Sequence, residues 1–215
     1  MSISNRSKGM FYGMAIGDAL GAAVEFREKG TFEPVINYRG FGPHGIEAGQ
    51  WTDDTSMALA LADSINKAGW DKTDQLNRYL DWRKNGKYSV TGYLFDIGNT
   101  TRHAIDNFEL TGETISDDDI ACSGNGSIMR LAPVPIRYHE ASTEELAQKA
   151  RESSVTTHAS ILCQDACVYM AIVLRALMRG EDRDIVLSRE WWESQNIKLH
   201  KGVDNIIDNN EKGPV

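Results

Sequence analysis

Five oxygen-bearing side chains in a row, Thr52-Asp53-Asp54-Thr55-Ser56, sit between Trp51 and Met57. A helix start favours a capping hydroxyl or carboxylate and acids in its first turn, which accounts for one or two of the five. Adjacent carboxylates repel one another unless a cation lies beside them. An oxygen-only set next to a hydroxyl suits Mg²⁺ and, less well, Ca²⁺ or Mn²⁺. Thr52, Asp53 and Asp54 are therefore candidate ligands of a divalent ion, with a plain helix cap as the competing account.

Three further segments have compositions unsuited to plain packing. Gly17-Asp18-Ala19-Leu20-Gly21 leads to Glu25, and carboxylates seven residues apart on one helix share a face. The alternative is that Asp18 caps a neighbouring helix and Glu25 is solvated. Phe95-Asp96-Ile97-Gly98-Asn99 and Ser123-Gly124-Asn125-Gly126-Ser127-Ile128-Met129-Arg130 each place glycine and asparagine ahead of an expected helix. Such turns aim backbone N–H groups at an anion, or simply form an Asn-Gly turn with a cap. His158, after Thr156-Thr157, either meets a ligand or bonds a carbonyl.

The elements that must position these residues read as helices throughout. Gly9, Gly13, Gly17 and Gly21 recur every four residues, a bare stripe on a helix starting near Ser7. Four glycines, each costing a helix ~1 kcal/mol relative to alanine, lead us to expect a close neighbour along that stripe. A Gly/Pro-rich loop over 30–49 follows. Helices are then expected over 52–67, 72–84 (stopped by Asn85-Gly86), 98–109, 127–131 (cut off by Pro133 and Pro135) and 143–153. The stretch 158–179 is apolar on every face, as a central buried helix must be. Residues 184–209 are polar, with Ile185, Val186, Trp191 and Trp192 as anchors. No convincing alternation marks a sheet, and the expected class is all-α, a compact multi-helix bundle.

Composition narrows the function classes. With 23 Lys plus Arg against 31 Asp plus Glu, the formal net charge is −8, which disfavours nucleic-acid backbone or an anionic membrane as partner. Three cysteines, Cys122, Cys163 and Cys167, form no disulfide framework and lack the further ligands zinc would need. Asp18 interrupts the N-terminal apolar stretch, and the longest uninterrupted apolar run, 166–174, falls short of the ~20 residues that span a bilayer. A soluble cytoplasmic protein is expected.

In chain order, Gly-Asp-Ala-Leu-Gly with Glu25, Trp-Thr-Asp-Asp-Thr-Ser-Met, Phe-Asp-Ile-Gly-Asn, Gly-Asn-Gly-Ser-Ile-Met-Arg with Ala132-Pro133, and Thr157-His158 resemble the ADP-ribosylglycohydrolase family. That group contains dinitrogenase reductase-activating glycohydrolase. The resemblance implies an all-helical fold with a cleft for two Mg²⁺ or Mn²⁺ ions. It also implies hydrolysis of the bond between ADP-ribose and an acceptor, such as arginine or serine on a protein, or of a related ADP-ribosyl compound.

Carried over residue by residue, Thr52, Asp53 and Asp54 match half of the family's metal site. Glu25 and Asp96 match carboxylates near the metals and the scissile bond, and are the expected catalytic groups. Asn99 matches a position near the ribose or the scissile bond; Gly124, Asn125, Gly126, Ser127 and Met129 match the loop that receives the diphosphate and distal ribose; His158 matches a substrate-cleft histidine. The family's second metal motif, Asp-x-Asp-Thr, does not occur in the 215 residues; Asp117-Asp118-Asp119 lies too early and lacks the threonine. The expected domain, 1–215, is on this reading incomplete at its C-terminus, with one recognisable half-site. A relative that binds ADP-ribose or a protein partner without hydrolysis is the alternative.

Overall fold

Ser2 opens the first helix: its Oγ accepts the Asn5 N–H, and α1 runs Ile3–Gly21. The structure, a computed structural model, describes residues 2–210; Met1 and residues 211–215, the two ends of the expected domain, lie outside the described residues. After α1 come α2 (Asp53–Ala68), α3 (Lys72–Asn85), α4 (Asn99–Thr111), α5 (Pro133–Arg137) and α6 (Thr143–Ser154). Next are α7 (Ile161–Arg179), α8 (Arg183–Val186), α9 (Arg189–Ser194) and α10 (Lys201–Asn210). Among the described residues there is no strand, only an isolated bridge between Phe41 and Ile46, so the all-α expectation holds.

The helix stops follow local chemistry. Gly86, Gly112 and Gly180 close α3, α4 and α7 in the left-handed region, each donating its N–H back to the last turn. Asp71, Ser142 and Ser160 cap α3, α6 and α7 through their side chains. α7 is the hub, packed against α1, α5, α6, α8 and α10, while α2 packs against α1, α3 and α5. Met57, Leu61, Leu76, Tyr79, Ile105, Leu131, Leu146, Val168 and Ile172 fill the space between them. α7 is 19 residues long and apolar enough to cross a bilayer by composition alone. It also carries buried Asp165, held by Arg151 of α6 at 2.7 Å and by the His200 N–H at 2.6 Å.

Four expectations are corrected. Residues 127–131 form a turn rather than a helix, because the Ile128 and Met129 N–H groups both close onto the Asn125 carbonyl; a helix starts instead at Pro133, where proline's fixed φ suits the first turn. α7 begins at Ile161, three residues beyond His158, where Ser160 caps it. α1 ends at Gly21, so Glu25 is not two helical turns from Asp18 but in the turn that follows. The glycine stripe meets nothing: a Cβ added to Gly9, Gly13, Gly17 or Gly21 finds no atom of the described residues within 4 Å.

Candidate active site

The start of α2 is held from outside. Asp18 Oδ1 accepts the Thr52 N–H at 3.0 Å and the Thr52 hydroxyl at 2.7 Å. Its Oδ2 accepts the Thr55 N–H at 3.0 Å and the Thr55 hydroxyl at 2.6 Å. Thr52 occupies the N-cap position without a side-chain capping bond of its own, so α1 caps α2. The capping account foreseen for Asp18 therefore holds, and Thr55 is consumed by it. Ser56 is consumed as well, its hydroxyl returning to the Thr52 carbonyl at 2.8 Å.

Asp18→Ala is expected to cost about 2–4 kcal/mol, since several charge-assisted bonds are lost at once. The denaturation midpoint measures it. Mn²⁺ affinity should fall with it, because the first turn of α2 carries the remaining acids.

Those acids, Asp53 and Asp54, are crowded. Asp53 is 9% exposed rather than the solvated first-turn acid that its position suggests. Burial, followed by the charges of Asp96 and Asp54, pushes its carboxyl up to about 9. Burial, followed by Asp18 and Glu25, pushes Asp54 up to about 6. Asp96 also comes within hydrogen-bonding reach of Asp53, a closeness two carboxyls tolerate only with a proton or a cation between them. Thr52 gives its hydroxyl proton to Asp18 and keeps its lone pairs. Buried, mutually repelling carboxyls beside such a hydroxyl fit a hard divalent cation. Thr52, Asp53 and Asp54 are the residues that would hold it.

Asp96 and Glu25 reach the same acids from other segments and meet a residue that the motifs did not mark. His44 Nε2 lies 2.6 Å from Glu25 Oε2 and 3.7 Å from Asp96 Oδ2. The ligand-capable atoms of Glu25, His44 and Asp96 lie within 4.8 Å of one another, a second set able to hold a cation. A single histidine in a long loop carries no periodic or spacing signal, so its partners emerge only from the fold.

The Gly124–Ser127 turn sits on His158. A Cβ on Gly126 would come 2.6 Å from His158 Cε1 and 2.9 Å from Thr101 Oγ1, and one on Gly124 3.2 Å from His158 Nε2. Glycine is needed here for close approach, not for a left-handed φ. Among the described residues, the N–H groups of Asn125, Gly126 and Ser127 have no acceptor, whereas their neighbours Gly124, Ile128 and Met129 do. Three unengaged donors in one turn suit an anion. Cys163 and Cys167 of α7 bond the turn from beneath, at Gly124 O (3.2 Å) and Ser127 Oγ (3.4 Å). Met129 packs on the core with its side chain.

Arg130, quoted within the motif but given no role by it, clamps this turn. It is fully buried and donates to Gly126 O at 2.9 Å and to the Thr157 hydroxyl at 2.7 Å. Because guanidinium only donates, the Thr157 hydroxyl accepts there, and it shares a second hydrogen bond with His158 Nδ1, 2.8 Å away.

Burial, reinforced by the Arg130 charge, lowers the His158 pKa to about 3. Between pH 6.5 and that value the unfolded chain binds a proton that the folded chain refuses, so stability is complete above the ordinary histidine range and falls on acidification. From pH 6.5 to 5 the loss is about 2 kcal/mol. His158→Gln should remove most of that slope in urea titrations at the two pH values; an unchanged slope would refute the assignment.

α4 joins the two halves. Asp96 precedes it on the acid side, and Thr101 in its first turn abuts Gly126. Asn99, its first residue, is exposed and lines a cleft of about 590 Å³ together with Thr100, His103, Cys122 and Thr157. On the other side, the Arg130 guanidinium approaches Met57 of α2 to 4.0 Å. Acids and glycine turn are thus tied to common supports.

Comparison with known proteins gives the family. The family model described as ADP-ribosylglycohydrolase matches residues 1–211. An ADP-ribosylarginine hydrolase Tri1 of Pseudomonas putida is 37% identical over 186 residues, covering 86% of this chain and 50% of its own length. The Serratia proteamaculans Tri1 is 34% identical, with 86% and 50% covered. An ADP-ribosyl-(dinitrogen reductase) glycohydrolase of Rhodospirillum rubrum is 34% identical, with 83% and 60% covered. A solved structure titled ADP-ribosylglycohydrolase-related protein complex superposes with a TM-score of 0.83 at 36% identity, covering 96% of this chain and 67% of that one. The chain spans about half the length of the Tri1 relatives. On the match over nearly all of its residues, and with the motifs gathered as described, the chain belongs to the ADP-ribosylglycohydrolase family.

Proposed function

We propose that this chain acts in hydrolysis of the glycosidic bond between ADP-ribose and the arginine side chain of a modified protein, with Mg²⁺ as the required cation. The observation that carries the reading is the convergence of Asp53, Asp54, Asp96 and Glu25, with Asp53 buried and driven up to about 9 by its surroundings. Arginine is favoured over serine as acceptor because two relatives are named ADP-ribosylarginine hydrolases. Mg²⁺ bound at Thr52, Asp53 and Asp54 would supply positive charge to orient ribose hydroxyls and lower the cost of deprotonating water.

The protein's own groups do the rest. Water adds to the anomeric carbon as the C–N bond to the guanidino group breaks, and positive charge builds on the ring. Glu25, the more exposed of the two catalytic carboxylates, takes the proton of the attacking water, and the departing guanidine takes up a proton. The Asp96 carboxylate offsets the ring charge. The N–H groups of Asn125, Gly126 and Ser127 receive the diphosphate, and the cleft at Asn99 takes the remainder of the nucleotide.

The test is release of free ADP-ribose from an ADP-ribosylarginine peptide, with Mg²⁺ and with chelator. Release in Mg²⁺ alone is expected. Affinity for ADP-ribose without release would instead favour the alternative, a binding protein that does not hydrolyse; neither release nor affinity would overturn both.

A further inference from the structure

We propose that His44 is a positioning residue that fixes the Glu25 carboxylate, carried to it by the 30–49 loop; this rests on the hydrolytic reading of the site. Glu25 has no regular element to hold it. It lies in a turn closed by Val24 N–H to Gly21 O (2.9 Å) and Arg27 N–H to Val24 O (3.1 Å). The next residue, Phe26, has φ +61°, a left-handed conformation costly for a bulky side chain. A carboxylate on such a turn keeps its rotamer freedom unless something binds it, and a loosely held group loses much of its catalytic value.

The loop supplies that bond with its own scaffold. Phe41 and Ile46 pair across the loop tip, and Gly45 N–H bonds Phe41 O at 2.8 Å. Gly42, at φ +53°, lies so close to the Glu25 turn that a Cβ there would stand 2.6 Å from Ala23 Cα. The tip is therefore docked on the backbone that carries Glu25. Between Phe41 and Ile46 the His44 side chain is 6% exposed, edge-on to Phe26 at 5.7 Å and to Phe95 at 5.9 Å between ring centroids. Two aromatic neighbours would accept phenylalanine as readily. What the imidazole adds is an Nε2 at 2.6 Å from Glu25 and 3.7 Å from Asp96, reaching carboxylates from two different segments. Phe26, strained but edge-on to the ring it helps to enclose, completes the seat.

Two variants and one signal test this. His44→Phe keeps the ring and removes the donor; His44→Gln removes the ring and keeps an N–H at a similar reach. On an ADP-ribosylarginine peptide in Mg²⁺, His44→Phe should lose ~10–100-fold in kcat with KM within about twofold, and His44→Gln should recover most of the loss. Wild-type kcat in His44→Phe would overturn the proposal, as would equal loss in both variants.

The second readout needs no turnover. In metal-free wild-type protein, an Nε2-bound proton of His44 should resonate downfield by ¹H–¹⁵N NMR and vanish in Glu25→Ala, which removes the acceptor. If the wild type releases no ADP-ribose, the hydrolytic reading fails and this signal alone decides: its presence and its loss in Glu25→Ala support the fixation of Glu25, and its absence overturns it. If His44→Phe fails to fold, the same signal decides.

Discussion

Asp53→Asn is expected to abolish ADP-ribose release, by at least ~10²-fold in kcat/KM, while leaving the metal-free protein as stable as the wild type. The two halves of that result have one cause. Burial and the neighbouring acids push Asp53 up to about 9, so near pH 7 the metal-free side chain already carries a proton. Asparagine copies that neutral form in shape and charge. A first-turn acid contributes less than ~1 kcal/mol through the helix dipole, and here even that contribution is absent while the carboxyl stays protonated. Binding a cation requires the proton to leave, so Mn²⁺ affinity of the wild type should rise with pH up to about 9. The readout is the thermal shift on adding Mg²⁺: present in the wild type, lost in Asp53→Asn. A variant that unfolds in the absence of metal would show that Asp53 is structural instead.

Arg130→Met should destabilise the fold by about 2–4 kcal/mol and weaken ADP-ribose binding without weakening Mn²⁺ binding. Two effects oppose each other. Removing a buried charge is favourable in itself, and Arg130 Nε has no partner in any case. Against that, methionine orphans the Gly126 carbonyl and withdraws bonds from Ser153 O, Thr156 and Thr157. It also loses the guanidinium stacked 4.8 Å from the Tyr79 ring centroid. The hydroxyls can re-pair, since Thr156 already donates to Ser153 O at 2.9 Å and Thr157 faces His158. The turn carbonyl cannot, so the penalty wins and falls on the anion-binding turn. His158 gives an internal check. Its low pKa arises first from burial and then from Arg130, so in the variant it should rise and yet stay below the ordinary value. Equal losses of nucleotide and cation affinity would contradict this division of labour.

Much of the helical scaffold was legible because helix ends are local chemistry. Asn85-Gly86, Ser142 and the all-round apolar face of α7 each point to the element that formed. The candidate residues were also legible in type, since Thr52, Asp53 and Asp54 with Asp96 and Glu25 do converge. What escaped depends on contacts far apart in sequence. The exit of the chain after Gly21 follows no periodic signal, and Ala22 and Ala23 favour a helix that does not continue. The capping of α2 by Asp18 spans more than thirty residues. The charge that Asp96 brings to Asp53 likewise comes from a segment distant in the chain. His44 was illegible for the same reason: a loop's direction is set by where its tip docks, here on Ala23.

The most direct measurement is the anomalous difference map of a crystal grown with Mn²⁺. The account predicts a peak bounded by Thr52, Asp53 and Asp54. A peak confined to Glu25, His44 and Asp96, or none beside α2 at saturating Mn²⁺, would contradict it.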